Sequence, residues 1–131
     1  MNKHSEIQNQ LEQLLSKKGI VFKEHLLEIG NKKYRSDLLF ENIESHLKVI
    51  IEIKSNFSAL DVSIGTLSYL VDLKELIDHM NYRMVVVFSD DLTESFSQLL
   101  RGRIAFYSLQ DKTINEIAEL IYNESEQHSI G

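Results

Sequence analysis

The chain has 131 residues, 43% apolar and 26% charged, enough for one compact domain with a real core on a prior of roughly 100–200 residues per domain. There is no Cys, which excludes disulfides, thiolate metal sites and a catalytic cysteine, and the net charge of −6 argues against a surface that is basic throughout. The longest apolar run, Met84 to Phe88, is five residues, far short of the roughly 20 of a membrane helix; with no apolar leader at the N-terminus the expectation is a single cytoplasmic domain over 1–131 that needs no membrane.

Residues 2–18 read as an amphipathic helix, with Ile7, Leu11, Leu14 and Leu15 at helical spacing and Gly19 as the stop. Ile20 to Ile29 is strand-like and closes on Gly30-Asn31. Tyr34 to Glu41 and Leu47 to Lys54 are two further strands joined by a polar loop around Glu44-Ser45. A long helix follows from Leu60 to Met80, then a buried strand from Arg83 to Phe88 and a short helix from Leu92 to Leu100. Arg103 to Leu109 is a last strand, and Thr113 to about Glu124 a closing helix. Three consecutive strands followed by alternation predict an α/β or α+β mixed sheet flanked by helices.

Charge is uneven along this order. Residues 1–58 hold nine basic and eight acidic side chains, for +1, and residues 59–131 hold five and twelve, for −7. A surface meant for a polyanion therefore belongs to the first half, where Lys32, Lys33 and Arg35 lie close together.

Two strands break the pattern of a simple core. Val49-Ile50-Ile51-Glu52-Ile53-Lys54 has the apolar density of a central strand, yet Glu52 and Lys54 are two apart and share a face. Asp37 sits among large apolar residues in the strand before it. Pairing the two about Glu44-Ser45 sets Phe40 against Val49, Leu39 against Ile50, Leu38 against Ile51 and Glu41 against Lys48. The same register sets Asp37 opposite Glu52, a like-charge pair that destabilises a half-buried sheet. Three arrangements offset that cost. One carboxyl keeps its proton, Lys54 and Arg35 neutralise the pair, or a divalent cation sits between them. Two carboxylates, a backbone carbonyl and waters are the oxygen ligands that Mg²⁺ prefers. An ion-pair cluster without any ligand is the plainer alternative.

Asp37, fourteen intervening residues, then Glu52-Ile53-Lys54 at the end of an apolar strand resembles the PD-(D/E)xK nuclease superfamily. The order helix, three strands, helix, strand is similar to its αβββαβ restriction endonuclease-like core, and the later strand and helices look like additions to it. The nearest likeness is to archaeal-type Holliday junction resolvases and small restriction-like nucleases. The resemblance implies a Mg²⁺- or Mn²⁺-dependent deoxyribonuclease, an endonuclease acting on DNA. Asp37, Glu52 and the Ile53 carbonyl would hold the metal, and Lys54 would serve the nucleophilic water. The family's first helix commonly adds a Glu; here Gln8 or Glu12 takes that place. Ser36 stands where the family usually has Pro, and Tyr69 follows on the long helix without the usual Gln. Lys32, Lys33 and Arg35 are the expected DNA contacts, and a symmetric homodimer would put one site on each strand. A nuclease-like domain used only for nucleic-acid binding or protein assembly is the alternative.

Other signals carry less. The five His residues show no metal-binding spacing and each reads as a surface residue, and no phosphate-binding Gly loop or nucleophile elbow occurs.

Overall fold

The computed structural model describes residues 3–29, 32–54, 82–89 and 104–126. In chain order these form α1 (Lys3–Ser16), β1 (Ile20–Ile29), β2 (Lys32–Glu41), β3 (Lys48–Lys54), β4 (Tyr82–Phe88), β5 (Ile104–Ser108) and α2 (Ile114–Glu126). The expected helices at 60–80 and 92–100, with Tyr69, lie outside the described residues. The seven other expected elements are present, with ends displaced by a few residues; β2 starts at Lys32, two residues earlier than its apolar pattern suggests.

The strands make one mixed sheet in the order β1-β2-β3-β4-β5. β1, β2 and β3 are antiparallel neighbours, and β4 and β5 run parallel to β3. The expected β2–β3 register is the observed one over four pairs, Leu38↔Ile51, Leu39↔Ile50, Phe40↔Val49 and Glu41↔Lys48. Side-chain alternation explains why it is so well specified, since a slip of one residue would carry the apolar set to the other face.

One face of the sheet packs on both helices. Leu38 and Phe40 of β2, Val49, Ile51 and Ile53 of β3, and Val85 and Val87 of β4 meet Ile7, Leu11 and Leu15 of α1 and Ile117, Ala118 and Ile121 of α2. Ile7, Leu11 and Leu15 recur every fourth residue, so burying them fixes the rotation of α1 about its axis. The other face is buried as well in β3 and β4, through Ile50, Met84, Val86 and Phe88. Burial on both sides accounts for the high apolar content of these two strands.

Local chemistry sets the helix ends. The Lys18 and Gly19 amides both donate to the Leu15 carbonyl, at 2.9 and 3.1 Å. A Cβ on Gly19 would lie 2.5 Å from the Glu41 carbonyl oxygen and 2.8 Å from the Phe40 ring, so only glycine lets α1 turn this tightly onto β2. α2 opens with a reciprocal cap. The Thr113 amide donates to Glu116 Oε1 at 3.2 Å, and the Glu116 amide donates to Thr113 Oγ1 at 3.1 Å. Between the helices, Lys18 Nζ lies 2.8 Å from Glu119 Oε1 and 4.9 Å from the centre of the Tyr122 ring.

The β2–β3 turn is tied to the far end of the chain. Asn42 Oδ1 accepts the amides of Glu44 and Ser45, at 2.9 and 3.2 Å, and its Nδ2 donates to Ser125 Oγ at 3.0 Å. Ser45 Oγ donates to the Ser125 carbonyl at 2.5 Å. These bonds satisfy a buried amide side chain that would otherwise be costly.

Candidate functional site

The β2–β3 ladder ends at Leu38↔Ile51, one step short of the Asp37–Glu52 pairing that the register predicts. That expectation is corrected here. Asp37 leaves the ladder, and its side chain enters the space that the next backbone bond would fill. Strand alternation shows how. Lys54 accepts the Ser89 amide at 3.1 Å through its carbonyl, so its polar backbone atoms face away from β2, while those of Ile53 face β2. The Ile53 amide, which a continuing ladder would pair with Ser36, donates instead to Asp37 Oδ2 at 2.8 Å. The N–H and C=O of a strand residue point to the same side, so the Ile53 carbonyl faces this opening too.

The β1 side has a matching break. Lys23↔Leu38 and His25↔Ser36 pair, but Glu24, between them, does not pair with Asp37. Glu24 has a φ of 53°, a left-handed conformation uncommon for a residue with a Cβ. Its side chain turns to α1, where Gln8 Nε2 donates to Glu24 Oε1 at 3.0 Å. The same amide donates to the Asp37 carbonyl at 2.9 Å, taking the acceptor that the ladder would have offered to Glu24. His4 Nε2, one helical turn before Gln8, stands 3.2 Å from Asp37 Oδ1.

Asp37 is thus held by β3 through Oδ2, by Gln8 through its carbonyl and approached by His4 at Oδ1. Glu52, 5% exposed, and Lys54, half-buried, flank Ile53 on β3 and share one face by alternation. Of the two first-helix candidates, Gln8 is buried against Asp37. Glu12 lies one turn on, its carbonyl accepting the Ser16 hydroxyl at 2.6 Å. Lys33 and Arg35 are exposed on β2, with Lys33 Nζ 3.8 Å from Glu28 Oε1. Lys32 begins β2, and its side chain lies outside the described residues.

His4 and Glu24 are the two site residues that sequence reasoning missed. His4, expected to be a surface residue, keeps its side chain 31% exposed and also stands beside Asp37. The signal was present in the spacing, since His4 and Gln8 are four apart on the helix whose Ile7, Leu11 and Leu15 face the sheet.

Among the described residues, no three His, Asp or Glu side chains converge closely enough to hold a metal by themselves. The oxygen donors that the structure places at the opening are the Asp37 carboxylate and the Ile53 carbonyl, with Glu52 preceding Ile53 on β3. That all-oxygen set fits a hard cation such as Mg²⁺, which keeps several of its own waters.

No protein-family model and no curated protein matches the sequence. Among solved structures, a protein of unknown function, AF1548, is similar with a TM-score of 0.61 at 11% identity, over 97% of this chain and 68% of that one. At that identity the likeness is one of fold, an α+β arrangement built on a mixed sheet. Among the described residues, no helix is long and apolar enough to cross a membrane.

Proposed function

We propose that the chain is a metal-dependent DNA endonuclease of the PD-(D/E)xK type, with a restriction endonuclease-like core, acting through Asp37, Glu52 and Lys54. The observation that carries this reading is the insertion of the Asp37 carboxylate into the β2–β3 ladder at Ile53, between Glu52 and Lys54. The strand pair gives up backbone bonds to seat an acid against Ile53, the residue that separates Glu52 from Lys54, at a local cost to the sheet.

In this reading Asp37, Glu52 and the Ile53 carbonyl would hold Mg²⁺ or Mn²⁺. When bound, such a cation lowers the pKa of a water and neutralises charge on the scissile phosphate. Lys54 would offer its ammonium to that water and to the oxygen charge that builds up as the water oxygen bonds to phosphorus and the P–O ester bond breaks, with a proton passing to the departing oxygen. Gln8 orients Asp37. The exposed cations Lys33 and Arg35, on the strand leading to Asp37, supply phosphate contacts, with Lys32 beside them in sequence. A homodimer of such sites would cut both strands of a duplex.

One observation favours a second reading, binding or assembly without chemistry. α1 brings the amide Gln8 to Asp37 where an acid would add a metal ligand.

A cleavage assay separates the two. Duplex, single-stranded, flap and four-way-junction DNA are incubated with Mg²⁺, Mn²⁺ or EDTA, with Glu52→Ala as control. Cutting that requires metal and vanishes in the variant supports the nuclease. DNA binding by the wild type with no cutting of any substrate favours the second reading.

A further inference from the structure

We propose that His4 is a positioning residue for Asp37, acting together with Gln8 from one face of α1, so that the first helix helps to set metal affinity without itself providing a metal ligand. This rests on the nuclease reading above.

The geometry is a grip from two sides. β3 holds Asp37 Oδ2 through the Ile53 amide at 2.8 Å. α1 meets the same residue twice, with Gln8 Nε2 on its carbonyl at 2.9 Å and His4 Nε2 beside Oδ1 at 3.2 Å. Residues four apart on a helix lie one above the other, so a single helix orientation delivers both contacts. That orientation is not free to vary, because Ile7, Leu11 and Leu15 on the same face are buried in the core. Glu24 completes the arrangement by accepting the second bond of the Gln8 amide, in a backbone conformation with φ of 53°. Both protons of the Gln8 amide therefore have acceptors, which fixes its orientation.

Groups that orient a metal ligand through its remaining atoms typically change metal affinity or activity about 10–100-fold when removed. The contact at Oδ1 has that relation to Asp37. It bears on the direction of the carboxylate, not on the stability of a sheet that the Ile53 bond and the core already hold.

The test measures Mn²⁺ binding by titration and electron paramagnetic resonance, alongside duplex cleavage, for wild type, His4→Ala, His4→Gln and Gln8→Ala. Thermal melts without metal confirm that each variant folds. His4→Ala is expected to weaken Mn²⁺ binding by about 10–100-fold and to lower kcat, with KM for DNA unchanged. His4→Gln, whose amide can reach the same oxygen, recovers part of both. Mn²⁺ affinity and kcat equal to wild type in folded His4→Ala overturn the proposal while the nuclease reading stands. Wild-type protein that neither binds Mn²⁺ nor cuts DNA overturns both.

Discussion

The Asp37 carboxylate accepts the main-chain amide of Ile53 at 2.8 Å, a side chain taking the place of a backbone acceptor between two neighbouring strands. The bond joins the two halves of the candidate site, since Ile53 stands between Glu52 and Lys54. It also gives Asp37 a structural duty that a metal ligand alone would not have.

Replacing Asp37 therefore tests two properties at once. Asp37→Ala leaves the Ile53 amide without its acceptor and is expected to cost about 1–3 kcal/mol in a urea melt. Asp37→Asn keeps an acceptor oxygen and is expected to be closer to wild type in stability while losing cleavage as fully as Asp37→Ala. Equal stability of Asp37→Ala and wild type would show that the amide finds another partner.

Lys54→Ala is expected to abolish cleavage and leave Mn²⁺ affinity within a few-fold of wild type, because its ammonium acts on the water and not on the ion. A parallel loss of both in a titration and a rate measurement would make Lys54 a structural counter-charge.

Lys33→Ala combined with Arg35→Ala is expected to weaken duplex affinity and to flatten its salt dependence, by about one unit of log–log slope for each phosphate contact removed. Filter binding between low and moderate salt reads this directly. An unchanged slope would put the DNA surface on another part of the molecule.

Gly19→Ala is expected to destabilise the fold by about 1–3 kcal/mol, the usual cost of overpacking, because the new Cβ meets the Glu41 carbonyl at 2.5 Å and the Phe40 ring at 2.8 Å. A denaturant midpoint equal to that of wild type would mean that α1 can draw back from β2.

Stability should fall in strong alkali for an identifiable reason. Burial, then the nearby charge of Glu124, holds the Tyr107 phenol above its ordinary value of 10.0. The folded protein thus favours the neutral phenol. Its contribution is complete below about pH 10 and is lost as pH rises through the folded value. Lys18 is also raised, first through its hydrogen bond to Glu119; its contribution is lost over the same alkaline range, and its exposure keeps that share small. Urea melts at about pH 9 and about pH 11 should show a shallower loss for Tyr107→Phe than for wild type. Identical slopes would remove Tyr107 as a cause.

The register of β2 against β3 was legible in the sequence because two properties agreed. Apolar alternation set the faces, and centring the pairing on Glu44-Ser45 set the step, with Glu41 opposite Lys48 as a favourable outcome. Continuing that register to Asp37 and Glu52 failed at the first pair with a local reason to deviate, where a carboxylate offered the Ile53 amide a better partner than Ser36. Gln8 was one of two first-helix candidates, and the structure brings it, not Glu12, to Asp37. His4 and Glu24 were missed for different reasons. His4 matters through a tertiary contact 33 positions away, and the φ of Glu24 belongs to a backbone choice that no pattern of residue types marks.

Asn42 and Ser45 of the β2–β3 turn are bonded to Ser125, 83 and 80 positions along the chain. This anchor lies at the opposite end of the hairpin from Asp37, yet it steadies the turn that sets the strand register. On the ribosome the consequence is one of timing. At roughly 5–20 residues per second, the turn is complete several seconds before its anchor is made. The hairpin must find its alignment from cross-strand packing and the turn's own bonds at Asn42, before α2 is there to anchor it.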